Sequence, residues 1–207
     1  MTTQAVIKPS VREKLKEATI LEILNAAEVE LAEQGFAATS MNAIAQRAGV
    51  AVGTLYNYFR DKNVLLTELV NERKDRFIRS FDEAMAANEN LPFTEQLHAI
   101  INTVFGVFDT QRNYFKLILA HEIPSSASKS KSSPPAVMQF IDRFRPLVAK
   151  GVDSGFLIEQ DADLYASVLA ALMRSVMIER LTQTERPFSD ATPFVIRMFL
   201  NGAKKNT

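Results

Sequence analysis

Residues 39–62 read TSMNAIAQRAGVAVGTLYNYFRDK, and the spacing of small and apolar side chains in this stretch decides the N-terminal fold. The pattern predicts two short helices, at about Met41 to Ala48 and Val52 to Phe59, with Gly49 in the turn between them. Ala45 is small at the point where two crossing helices come close. We therefore expect a helix-turn-helix here.

The outward face of the second short helix combines groups that suit a DNA surface. The hydroxyl groups of Thr54 and Tyr56 can reach phosphates, Asn57 can bond a base edge in two places, and Gly53 lets the backbone approach closely. Tyr56 and Tyr58 point about 200° apart on a helix, so one of them should be partly buried. A purely structural helical hairpin is the alternative, but it would rarely expose this combination of side chains.

Outside this stretch, apolar residues recur at spacings of three and four, which predicts an all-α protein. The first helix should run from about Glu13 to Gln34 and end at Gly35. A long, charged helix from about Asn63 to Ala87 should join a DNA-binding domain at 1–62 to a larger helical domain at 63–207. Five more helices are expected at about Pro92 to Thr110, Asn113 to Glu122, Ala136 to Ser154, Asp161 to Thr184 and Thr192 to Ala203. Loops are expected at Ser125 to Pro135 and at Gly151 to Gly155.

Composition limits the classes of function. The chain has 24 Lys plus Arg and 24 Asp plus Glu, so its formal charges balance. It has no Cys, which excludes a disulfide framework and a thiolate zinc site. The two histidines, His98 and His121, lack metal-ligand spacing, and we prefer a structural role for His121 near a helix C-terminus. No phosphate loop or catalytic motif occurs, so we expect no enzyme activity, metal or cofactor. The first ten residues do not form a signal peptide and no stretch suits a membrane span, so we expect a cytoplasmic protein without membrane contact.

Residues Gly35 to Lys62 closely resemble the DNA-binding domain of the TetR/AcrR family of bacterial repressors, and the similarity extends over roughly residues 16 to 75. The resemblance implies an all-helical homodimer whose second short helix enters the major groove of double-stranded DNA. It also implies a C-terminal domain that binds an inducer and pairs through its last two helices. By the same resemblance, DNA contacts are expected from Ser40, Asn42, Val52, Gly53, Thr54, Tyr56, Asn57, Tyr58 and Lys62. Ala51 departs from the family, which often has a Ser or Thr helix cap there.

Large aromatic residues and methionines crowd the C-terminal domain. Most of them must build the core, but such side chains can also line an apolar ligand cavity. The candidate pocket residues are Phe105, Phe108, Tyr114, Phe115, Phe140, Phe144, Met173 and Met177. Arg174, Glu179 and Arg180 are either charges at the rim of a dimer interface or polar groups in a pocket.

The last two predicted helices carry more apolar surface than one side of a single domain needs, which predicts a homodimer. The dimer-forming candidates are Leu164, Val168, Leu172, Val176, Phe194, Val195, Met198 and Phe199. We therefore expect a ligand-responsive transcriptional regulator, most simply a repressor, that binds a palindromic operator and is released by a small apolar effector. The alternative is a helical adaptor that uses the hairpin for protein contacts.

Overall fold

The computed structural model describes residues 10–119, 136–158, 161–183 and 185–203, which form helices and no β-strand, so the all-α prediction is confirmed. The helices in chain order are α1 (Val11–Ala38), α2 (Met41–Arg47), α3 (Val52–Tyr58), α4 (Lys62–Ala87), α5 (Phe93–Thr110), α6 (Arg112–Leu119), α7 (Ala136–Asp153), α8 (Ala162–Thr182) and α9 (Thr192–Ala203). A 3₁₀ turn, Ser189–Ala191, precedes α9. None of the described helices is long and apolar enough to cross a membrane.

The chain divides into two compact units within α4. Among the described residues, unit 1 comprises 10–72 and unit 2 begins at Arg73. The long helix predicted from Asn63 runs through both units, and it begins at Lys62. The boundary that we placed at residue 62 remains a prediction.

Unit 1 is built around the stripe that the sequence predicts on α1. Ile23, Leu24, Ala27 and Leu31 are buried there. They share a core with side chains that α2, α3 and α4 turn inward, which removes apolar surface from water. These buried side chains are Met41, Ile44, Ala45, Leu55, Phe59, Leu65, Leu66 and Leu69.

Both ends of α1 differ from the prediction. The helix begins at Val11 because Ser10 and Glu13 form a capping box, with the Ser10 N–H donating to Glu13 Oε2 at 2.7 Å. These hydrogen bonds lower the pKa of the Glu13 carboxyl. Gly35 has a φ of 76° but forms a kink within the helix and does not end it. The buried Thr39 hydroxyl donates to the Gly35 carbonyl oxygen at 2.8 Å and supports this bend.

Unit 2 has one aromatic-rich core formed mainly by α4, α5, α7, α8 and α9. The helix predicted at about Ala136 to Ser154 is confirmed as α7 and includes Gly151, which the loop expected at Gly151 to Gly155 had also included. A Cβ atom there would come within 2.8 Å of Leu157 and Phe93, so close packing requires the glycine. Pro92 precedes α5 as its N-cap and is not in the first turn. His121 and the predicted loop from Ser125 to Pro135 lie outside the described residues.

Candidate nucleic-acid interface

The helix pair α2–α3 is held by backbone hydrogen bonds and by a shared core. Gly49 has a φ of 67° in the turn, as only glycine adopts readily. The Val50 N–H donates to the Ala45 carbonyl oxygen at 3.0 Å and closes the turn. Ile44, Ala45 and Leu55 have no exposed surface. This packing fixes which side of α3 faces outward.

The outward side of α3 carries most of the residues named as DNA contacts. Val52 is 38% exposed and Tyr56 49% exposed, and Gly53 and Asn57 are also exposed. Thr54 and Tyr58 are half-buried, so the expected difference between the two tyrosines is confirmed. A Cβ atom at Gly53 would meet no heavy atom within 4 Å, so packing within the chain does not demand a glycine there.

The two short helices begin differently. At α2 the Ser40 hydroxyl accepts a hydrogen bond from the Ala43 N–H at 3.1 Å, and both Ser40 and Asn42 are exposed. At α3 the N-cap is Ala51, which makes no side-chain hydrogen bond. The sequence predicted that α3 would lack a side-chain cap at Ala51, and the structure confirms this.

Lys62 lies at the start of α4, and its ammonium group has partners within unit 1. Nζ donates to the carbonyl oxygens of Phe36 and, at 2.7 Å, of Thr39. It also lies 4.3 Å from the centroid of the Phe36 ring, in a cation–π contact. Of the three N–H groups of an ammonium, one remains for another acceptor. Sequence reasoning missed this link because the partners are backbone carbonyls more than twenty residues away.

The other basic groups near α2 and α3 are paired with carboxylates. Arg47 Nε lies 2.7 Å from Glu30 Oε1, and this hydrogen bond raises the pKa of Arg47. Arg60 Nε lies 3.0 Å from Asp61 Oδ2. Asp61 also accepts from the Val64 N–H at 2.9 Å, which lowers the pKa of its carboxyl. The face is therefore polar and rich in hydroxyl groups, without a strong local basic excess.

The candidate pocket residues of unit 2 fall mainly in its core. Phe105, Phe108, Tyr114, Phe144 and Met173 are buried, and Phe115 and Met177 are partly buried. Phe108 is central: its ring centroid lies 4.5 Å from that of Phe115 and 5.7 Å from that of Phe188. The side chain of Phe140 lies outside the described part of the structure. The structure thus brings several of these residues together as an aromatic cluster.

A polar cluster that sequence reasoning missed holds the segment before α9. Asp109 accepts from the backbone N–H groups of Phe188 and Ser189 at 2.8 and 3.2 Å. Arg112 donates to the carbonyl oxygens of Arg180 and Arg186 at 3.1 and 2.7 Å. These groups fasten α5 and α6 to the end of α8.

A surface groove of about 630 Å³ lies on another side of unit 2. Phe81, Met85 and Pro146 provide its apolar surface. Its cationic groups are already bonded: Arg143 pairs with Asp82, and Lys150 Nζ donates to Gln96 Oε1 at 2.9 Å. The groove includes none of the sequence-predicted pocket residues among its described lining.

Comparison with known proteins covers both units. Residues 23–69 match the family model described as bacterial regulatory proteins, tetR family. The chain is 26% identical over 147 residues to the "Fatty acid metabolism regulator protein" of Bacillus subtilis, covering 70% of this chain and 74% of that protein. It is 40% identical over 65 residues to the "HTH-type transcriptional repressor KstR" of Mycolicibacterium smegmatis, covering 31% and 32% of the two chains.

The fold is shared with solved structures. A transcriptional regulator FadR from Bacillus subtilis, solved in complex with stearoyl-CoA, aligns with a TM-score of 0.66 and 18% identity. The alignment covers 88% of this chain and 98% of that one.

Proposed function

Because this chain is a transcriptional regulator of the TetR family, we propose that it is a repressor that binds a palindromic operator as a homodimer and is released by a small apolar effector. The observation that carries the proposal is the exposed polar face of α3 on a tightly packed helix pair. A regulator of this kind acts on chromosomal DNA, so we place it in the cytoplasm. Relatives named as regulators and as a repressor support this function.

On the DNA side, we propose that α3 enters the major groove. Asn57 would read a base edge, because an amide offers a donor and an acceptor together. Val52 would make an apolar contact, for which the methyl group of thymine is the natural partner. The remaining proposed contacts would position the protein on the sugar–phosphate backbone of the DNA, and they are Ser40, Asn42, Gly53, Thr54, Tyr56, Tyr58 and Lys62.

We propose that two chains pair through α8 and α9. Leu164 is 51% exposed and Val168 lies one turn further on the same side of α8, and Phe194 and Met198 repeat this arrangement on α9. Solvent exposure of four large apolar side chains on two neighbouring helices favours an interface. The other dimer-forming candidates are less exposed. Leu172 is partly buried, and Val176, Val195 and Phe199 belong to the core of unit 2.

We place the effector site in unit 2, within the aromatic cluster around Phe108. The cluster offers apolar walls, and Phe115 and Met177 are only partly buried, so moving them would cost less packing than moving the buried members. A relative is named for fatty acid metabolism and another protein of this fold was solved with stearoyl-CoA, which favours an effector with a long apolar chain.

The proposal is tested by selecting bound sequences from random duplex DNA and titrating salt against the selected and random duplexes. We expect a sequence with inverted symmetry, since a two-fold dimer presents two identical recognition helices. Affinity should fall with ionic strength because binding neutralises phosphates. An asymmetric single half-site would contradict the dimeric mode, and absence of DNA binding would favour the adaptor.

A further inference from the structure

One buried side chain of unit 2 has no partner for either of its polar groups. Gln111 lies between α5 and α6 and is 2% exposed. Neither its Oε1 nor its Nε2 atom has a hydrogen-bond partner among the residues that the structure describes. An amide buried in this way loses its hydration without compensation, so it destabilises the ligand-free fold. Native proteins retain few such groups, and each one calls for an explanation such as a functional role or a bound water.

Gln96 provides a matched comparison in the same unit. It is 3% exposed, and its Oε1 atom accepts a hydrogen bond from Lys150 Nζ at 2.9 Å. Unit 2 can therefore bury a glutamine with a partner. The unpartnered amide is a property of the corner between α5 and α6.

Aromatic residues precede and follow Gln111 along the chain at the corner between α5 and α6. Phe108 and Phe115, three residues before it and four after it, come together with ring centroids 4.5 Å apart. Tyr114 is buried, and its ring lies 5.2 Å from that of Phe115. The neighbouring charge of Arg112 is directed to Asp109 and to backbone carbonyl oxygens. The corner thus combines apolar walls with a neutral amide.

We propose that Gln111 is the polar anchor of an internal binding site for a neutral amphiphile. The ligand has an apolar chain that packs against Phe108 and Phe115, and it ends in a group that both donates and accepts, such as a carboxamide or a hydroxyl. That end group donates a hydrogen bond to Oε1 and accepts one from Nε2. An anionic end group is disfavoured, because it would face Oε1 and lose its hydration in an apolar site.

This inference rests on the proposed function in placing the effector site in unit 2, and it deepens that function by naming the end group. Phe115 is only partly buried whereas Phe108 is buried, so displacing Phe115 would cost less core packing than displacing Phe108. The ligand then supplies the hydrogen bonds that the ligand-free fold lacks.

The test compares decanamide with methyl decanoate, which has a similar chain and an end group that only accepts. Calorimetry on the full chain should show decanamide binding about tenfold more tightly, as expected for one additional buried hydrogen bond. In Gln111→Leu this preference should disappear, and the unfolding midpoint should stay equal or rise, because an apolar side chain of similar size replaces an unsatisfied amide. Equal binding of both probes to the wild-type chain, or no binding of decanamide, would overturn the inference.

Gln96→Leu is the matched control. It should lower the unfolding midpoint, because Lys150 loses an acceptor, and it should leave the preference for decanamide unchanged. A lowered midpoint for Gln111→Leu would mean that the amide is satisfied, for example by an internal water, and would overturn the inference. So would a preference lost in Gln96→Leu, because the ligand would then occupy the surface groove. Wild-type operator binding, measured separately, decides the proposed function independently of these outcomes.

Discussion

Asn57 is the exposed residue of α3 whose side-chain amide presents a separate donor and acceptor side by side. Asn57→Ala should relax sequence preference at one operator position by about 1–3 kcal/mol, because a pair of hydrogen bonds to an adenine edge is lost. Binding curves on selected and single-site variant duplexes measure this. Asn63→Ala, an exposed asparagine at the start of α4, is the control and should change nothing. Unchanged preference in Asn57→Ala would show that Asn57 contacts only water.

A substitution at Gly53 should affect the stability of the chain and its proposed DNA binding in opposite directions. Within the chain a Cβ atom there has open space, and alanine is favoured over glycine in a helix by about 0.5–1 kcal/mol. Gly53→Ala should therefore stabilise the protein slightly in urea unfolding, while it weakens operator binding by at least about tenfold through a clash with the approaching DNA backbone. Stability and affinity that rise together would contradict a close backbone approach.

Lys62 has one role within the fold and one proposed role in DNA binding, and a single substitution can test both. Lys62→Met keeps the apolar stem but removes the donor to the Phe36 and Thr39 carbonyl oxygens, which should lower the free energy of unfolding by about 1–3 kcal/mol. If the remaining N–H reaches a phosphate, as we propose, the slope of log affinity against log salt should also decrease by about one. Lys74→Met, further along α4, is the control. A stability loss with an unchanged slope would assign Lys62 to the fold alone.

At the scale of elements, the start of α3 lacks a cap that α2 has. Ala51→Ser should raise the free energy of unfolding by about 0.5–2 kcal/mol, because a hydroxyl at the N-cap accepts an orphan N–H of the first turn. Ser40→Ala should lower it by a similar amount, since its hydroxyl accepts from the Ala43 N–H. Chemical denaturation of the DNA-free protein measures both. A destabilised Ala51→Ser chain would show that the backbone at Ala51 does not allow the cap.

The elements that the sequence predicted well are those governed by local spacing. Leu55 and Ile44 are buried where the helix-turn-helix pattern places them, and Gly49 has the positive φ of the expected turn. The start of α1 was missed because a capping box at Ser10 begins the helix before its buried apolar stripe, so the residues of the first turns remain exposed. The kink at Gly35 depends on how the chain continues to Thr39.

Long-range contacts could not be predicted from the sequence. Asp109 and Arg112 bond backbone groups 68 to 80 residues away, so no local pattern reveals them. Gln111 is unremarkable in the sequence, and only the structure shows that it is buried without a partner. The exposed side of α3 follows from helix geometry, whereas the hydrogen bonds of Lys62 to two carbonyl oxygens depend on how unit 1 packs.

Among the described helices, α4 is the one that belongs to both units. The residues proposed to contact DNA and those proposed to bind the effector lie in different units of one chain. Such an arrangement couples two ligands only when each binds one conformation better than another. The effector site and α3 therefore have to be tested for mutual influence. Saturating decanamide should weaken operator binding by the same factor by which the operator weakens decanamide binding.

The proposed homodimer gives a prediction that rests on exposed residues of α8. Leu164, Val168, Ala171 and Ser175 are all exposed on α8 and recur at spacings of three and four, so they form one stripe that narrows toward small residues. Small side chains let a partner helix approach closely, while the larger ones supply apolar area. The wild-type chain of 23.1 kDa should therefore sediment at about 46 kDa. Leu164→Glu, which would place two carboxylates in an apolar interface, should sediment as a folded monomer and bind the operator at least about tenfold more weakly. Leu15→Glu alters a leucine that is 68% exposed on α1 and should leave the dimer intact. A Leu164→Glu chain that still sediments at the mass of a dimer would place the interface elsewhere.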